Sequence, residues 1–141
     1  MAQAYLQVTT TTDSRQEAAE IAKSAVAERL AACAQLVGPI ASTYWWEGEI
    51  EQAEEWMVVF KTTADNFEDL ASLITEAHSY DTPEIIATPV VAGSADYLRW
   101  VSEQTVEQSA GRSLGQSAGQ SAGQGARSAG RPEGEPTGTP G

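Results

Sequence analysis

Between Cys33 and Trp46 the chain is rich in Val, Ile, Thr, Tyr and Trp, with apolar groups at both odd and even positions, and reads as a long β-strand. Leu36, Ile40, Tyr44 and Trp46 fall on one face of such a strand, and Val37, Ala41, Thr43 and Trp45 on the other. Neither face is polar enough to be left wholly to solvent. Gly38-Pro39 interrupts the run, and proline is tolerated in a sheet only on an edge strand or at a bulge. A long apolar edge strand invites pairing, so a second copy of the chain is expected to cover it.

The flanking patterns predict the other elements. Tyr5 to Thr11 alternates as a first strand. Ser14 with Glu17 three residues on reads as a capping box opening a helix. Its apolar stripe is Ala18, Ile21, Ala22, Ala25, Leu30 and Ala32, and the many alanines let it lie close to a sheet. After the long strand, the acid-rich stretch Glu47 to Glu55 reads as a turn, and Trp56 to Thr62 as a third strand. Asp65 with Glu68 predicts the start of a second helix, whose stripe is Phe67, Leu70, Leu73, Ile74 and Ala77. A polar loop from His78 to Pro83 leads to a fourth strand, Ile85 to Val91, where Pro89 again suggests an edge. Ala95 to about Val106 reads as a terminal helix with Leu98 and Val101 turned inward.

The order β-α-β-β-α-β with an added C-terminal helix is an α+β arrangement of the ferredoxin-like, split βαβ type, with an extended hairpin. Right-handed crossovers place the second and fourth strands at the sheet edges, in keeping with both prolines.

Composition divides the chain in two. Residues 1–107 carry 18 acids and 5 bases, and residues 108–141 carry 2 acids and 3 bases, which sums to the net charge of −12. The first segment reads as one domain. The second, rich in Gly, Ser, Ala and Gln with repeated Ser-Ala-Gly-Gln, reads as a disordered tail. So acidic a domain repels nucleic acid and anionic membranes, which excludes both as expected partners. Cys33 is the only cysteine, so no internal disulfide is possible and a reducing, cytoplasmic setting is expected. No apolar run is long enough to span a membrane, and the first residues lack the pattern of a signal peptide.

Candidate chemistry is sparse. His78 is the sole histidine and stands near Asp81 and Glu84, a set of imidazole and carboxylates suited to copper or zinc. A loop histidine that hydrogen-bonds the end of the preceding helix is the competing account. Cys33 offers a soft sulfur to Cu(I), or else serves as a small buried hydrophobe. One histidine and one cysteine cannot close a four-ligand structural zinc site, although an assembly could bring ligands from two chains together. The glutamates from Glu47 to Glu55 read as a solvated hairpin tip, and the four tryptophans as packing and interface groups. No nucleophile elbow and no phosphate-cradling glycine loop is present.

Several ordered motifs carry a family resemblance. They are Glu28-Arg29-Leu30-Ala31-Ala32-Cys33, the run Ile40 to Ile50, Lys61-Thr62, the run His78 to Ile85, and Tyr97-Leu98-Arg99-Trp100. Over about residues 4–105 the sequence resembles the CutA family, the divalent-cation tolerance proteins. The resemblance implies a ferredoxin-like protomer, a homotrimer built by pairing long hairpins, and a role in tolerance to divalent metals, copper especially. It implies no enzymatic activity and no organic cofactor. Ser79 departs from the family pattern, which commonly has proline after the histidine. The expected ligands for copper or another divalent cation are therefore His78, Cys33, Glu84 and Asp81. A trimeric regulatory or scaffold module holding a small ligand or partner in an inter-subunit cleft is the second reading, and a hydrolase a distant third.

Overall fold

In the computed structural model, residues 3–107 are described; the tail expected over 108–141 lies outside them. Strands β1 (Tyr5–Thr12), β2 (Cys33–Trp46), β3 (Glu49–Thr63) and β4 (Ile86–Pro89) alternate with helices α1 (Arg15–Ala27), α2 (Phe67–Ala77) and α3 (Ala95–Gln104). The sheet runs β2-β3-β1-β4 and is antiparallel throughout. This is the split βαβ order, with β2 and β4 at the edges as their prolines require.

The core forms where α1 and α2 cover one face of the sheet. Val8, Val58 and Phe60 from the strands meet Ala18, Ile21, Ala25, Leu70 and Ile74 from the helices, all with at most 1% of their surface exposed. Three alanines on the inner stripe of α1 keep its axis near the strands. Ser14 caps α1 by accepting the Glu17 amide at 3.0 Å. At the other end Arg29 adopts a left-handed φ of 61°, and the Leu30 amide reaches back to the Ala25 carbonyl at 2.9 Å while that of Arg29 reaches Val26 at 3.0 Å. This is a Schellman ending, so Leu30 and Ala32 lie beyond α1 rather than on its stripe. Both remain buried, because the Thr62 hydroxyl and the Lys61 carbonyl of β3 bind the segment that carries them. The αL residue is held from outside as well: the Val106 amide donates to the Arg29 carbonyl at 2.9 Å.

The other face of the sheet receives α3 at one end. Tyr5 and Cys33 point away from the α1–α2 core; the Tyr5 hydroxyl bonds Ser102 at 2.6 Å and the Cys33 thiol lies 3.4 Å from the Tyr97 hydroxyl.

The hairpin differs most from its sequence reading. The connection is two residues, Glu47 (φ 50°) and Gly48 (φ 84°), both left-handed as in a type I′ turn. The acidic stretch read as a turn is therefore the first half of β3, with Trp46 opposite Glu49, Tyr44 opposite Glu51 and Ile40 opposite Glu55. Charged side chains signal exposure alone, and pairing with the aromatic half of β2 recruits them into the strand. A bulge sits at Gly38-Pro39: Val37 faces Met57 but Ile40 faces Glu55, three steps against two. The strands cannot both keep their alternation across it. On β2 the even positions stay the less exposed on both sides, while on β3 the buried set changes from Val58, Phe60 and Thr62 to Glu55.

Three smaller corrections follow the same logic. Asp65 caps nothing; a 3-10 turn, Ala64–Asn66, precedes α2, and Asn66 bonds Thr63 and the Val106 carbonyl. Strand β4 covers only Ile86–Pro89, paired with Leu6 to Thr9 of β1, and one further bond runs from the Val90 amide to the Tyr5 carbonyl at 2.9 Å. Helix α3 stops at Gln104, because the next residues turn to close on Arg29 and Asn66.

Candidate functional site

At the end of α2 the backbone of His78 turns extended (φ −85°, ψ 146°) and carries the ring under the sheet's end. The side chain has no exposed surface. The Tyr80 amide donates to Nδ1 at 3.1 Å, so the ring proton sits on Nε2, which donates to the Thr11 carbonyl at 2.8 Å. Both nitrogens are thus engaged with main chain, and the ring in this conformation presents no lone pair to a cation. The ring thus ties the end of β1 to its own loop.

The next two residues are tied to different elements. Ser79 donates its amide to Glu17 Oε2 at 2.7 Å and its hydroxyl to Oε1 at 2.9 Å. That carboxylate, placed by sequence in a capping box, faces the loop instead, with His78 Nδ1 3.6 Å away. Tyr80 stacks at 4.7 Å and 46° on His78 and donates its hydroxyl to Glu55 Oε2 at 2.7 Å. The other oxygen of Glu55 accepts the Ser42 hydroxyl at 2.7 Å. Glu55 is 1% exposed, a carboxylate buried at the root of the hairpin with a hydroxyl on each oxygen. Three consecutive loop residues therefore grip β1, α1 and the hairpin.

The structure does not gather the four expected ligands. Asp81 is exposed and Glu84 half-buried beyond the clamp, while Cys33 starts β2 beside Tyr97. Among the described residues no three His, Cys, Asp or Glu side chains come close enough together to hold a metal ion. At Tyr97 the hydrogen bond with the Cys33 thiol, then burial, then the thiolate's charge push the phenol up to about 12. A groove of about 380 Å³ between α1 and α2, with Glu28, Asp69 and Glu76 on its walls, shares no residue with the clamp.

Sequence reasoning missed Glu17, Ser42, Glu55 and Tyr80 as a set. The usable signal lay in Glu55: in a strand it follows Glu49, Glu51 and Ala53 on one side, a row that must reach the domain as the arm does.

The hairpin arm beyond the bulge exposes apolar surface. Trp45 and Ile50 are cross-strand partners and are 71% and 62% exposed. Tyr97 and Trp100 on α3, with rings 5.5 Å apart, and Val37 and Ile86 on the edge strands are also partly in solvent. Among the described residues no helix is long and apolar enough to cross a membrane.

Known proteins share this architecture. The family model described as CutA1 divalent ion tolerance protein matches residues 6–104. The divalent-cation tolerance protein CutA of Thermus thermophilus is 40% identical over 95 residues, covering 67% of this chain and 92% of its own. That of Archaeoglobus fulgidus is 41% identical over 97 residues, covering 69% and 93%. Among solved structures, the Thermus thermophilus protein superposes with a TM-score of 0.71 at 38% identity, covering 72% of this chain and 99% of that one. CutA1 from Oryza sativa gives 0.73 at 33% identity, covering 74% and 96%. With the motifs, the strand order and these matches in agreement, the chain belongs to the CutA1 family of divalent ion tolerance proteins.

Proposed function

We propose that the chain works as a homotrimer that binds divalent cations, copper foremost, at a site composed between copies. The observation that carries this reading is a mismatch. One chain brings no three ligating groups together among its described residues, yet its long arm leaves a tryptophan–isoleucine pair in water. An exposed apolar pair on a hairpin supports association, and association is the way for scattered ligands to converge. Cys33, Asp81 and Glu84 have exposed or partly exposed side chains and are the ligands this reading favours. His78 would join them only if the loop released Tyr80. A single unpaired cysteine supports a reducing, cytoplasmic location. The reading calls for binding alone, with no catalytic step and no organic cofactor.

Titration of the full chain with Cu(II), Cu(I) and Zn(II), combined with sedimentation equilibrium, tests it. Saturable binding by a trimer, weakened about tenfold or more in Cys33→Ser or in Asp81→Asn/Glu84→Gln, is the expected result, scaled from losses at metal sites. A stable folded monomer at micromolar concentration, or affinities unchanged in both variants, would overturn it. The clamp favours a second reading, a trimeric regulatory module, because it fixes a surface loop to three elements at once.

A further inference from the structure

We propose that Glu55 couples the conformation of loop 78–84 to that of the hairpin arm, with Tyr80 as the strap between them. The geometry is that of a shared node. One oxygen of Glu55 is held by Ser42, across the hairpin and beyond the bulge. The other is held by Tyr80, from a loop 25 residues away in sequence. A carboxylate that is 1% exposed depends on its donors, since a buried charge that loses a hydrogen bond regains no water in exchange. Displacing either hydroxyl therefore alters the position of Glu55, and with it the grip on the other.

The node sits where the ladder between β2 and β3 changes register. The bulge at Gly38-Pro39 breaks the β2–β3 register immediately beside it, so the position of Glu55 bears on the angle at which the outer arm leaves the domain. On the loop side, the amide of Tyr80 is bound to His78 and that of Ser79 to Glu17. Movement of the Tyr80 hydroxyl is thereby passed to a segment that carries Asp81 and Glu84 on its outer surface. Contacts made by the arm and contacts made by the loop bias one another, and thermodynamic linkage makes the bias mutual. The coupling acts within one chain and does not depend on the trimer or on a metal.

Hydrogen exchange of the full chain, read residue by residue, tests the coupling by perturbing one side and observing the other. Ser42→Ala is expected to speed exchange at the Ser79 and Tyr80 amides, which Ser42 does not touch, by roughly tenfold. Tyr80→Phe is expected to do the same to the amides of residues 40–43 and 53–55. Tyr5→Phe, which removes the Tyr5–Ser102 bond of 2.6 Å at the far end of the sheet, should alter neither segment. If each substitution affects only its own side, or if Tyr5→Phe matches them, the coupling is overturned. Should Tyr80→Phe fail to fold, the Ser42→Ala arm decides alone. A wild-type chain that sediments as a folded monomer with the cross-signals intact would reject the trimer and leave the coupling standing.

Discussion

Ser79 and Glu17, 62 residues apart, are joined by two hydrogen bonds of 2.7 and 2.9 Å, one from the serine amide and one from its hydroxyl. The departure from the family's commoner proline thus has a structural counterpart here, because proline would supply neither donor. Ser79→Pro should destabilise the domain by about 1–3 kcal/mol, the scale of hydrogen bonds to a charged group less the entropy proline removes from the unfolded chain. Ser79→Ala should cost less, since it keeps the amide. Urea denaturation with an unchanged slope would register both.

The Tyr97 phenol gives a pH signature. Its folded value, pushed from 10.0 to about 12, lies above the unfolded one, so the folded state holds this proton more tightly. The stabilisation is complete below pH 10 and is lost as pH rises from 10 toward 12. Tyr97 is 43% exposed, so solvent screens much of the effect. In tyrosinate absorbance the Tyr97 phenol should titrate late, and Cys33→Ala should move it toward the ordinary value. An unchanged profile in that variant would detach the thiol from the shift.

Gly38 is placed where a side chain has no room. A Cβ there would lie 2.6 Å from Trp56 Cδ1 and 3.2 Å from the Glu55 carbonyl oxygen. Gly38→Ala should cost about 1–3 kcal/mol, as overpacking does, and shift Trp56 emission. A wild-type melting temperature would show that the bulge yields freely.

Trp45→Glu, at the 71% exposed position on the arm, should leave the domain folded and shift sedimentation toward monomer. Circular dichroism close to wild type with a lower mass is the expected pair of results. A trimer of unchanged stability would place the contact elsewhere.

How much of this was legible in the sequence differs between fold and site. The elements and the alanine stripe of α1 follow from local periodicity, and strand order and edges from the β-α-β-β-α-β succession with right-handed crossovers, in keeping with Pro39 and Pro89. The acidic half of β3 did not, because charge at Glu49 and Glu51 signals exposure without distinguishing a strand from a turn. Cross-strand pairing decides that, and pairing is not local. The clamp was harder still. His78 stood out as the sole histidine, but its partners Thr11, Glu17 and Tyr80 converge only through the fold, and both its nitrogens are bound to or by main chain. Nothing about a residue type reveals a backbone partner.

The two-residue turn at Glu47-Gly48 has an evolutionary consequence. Because it is the tightest connection the strands allow, the arm's length is set wholly by matched rungs, each taking one residue from β2 and one from β3. A single-residue insertion or deletion on one side would turn every outer side chain over. Removing equal numbers from both strands, two rungs at a time, would shorten the arm while keeping its faces and the domain beneath it. Descendants of this sequence can therefore vary their reach in steps of two rungs, a discrete scale rather than a continuous one.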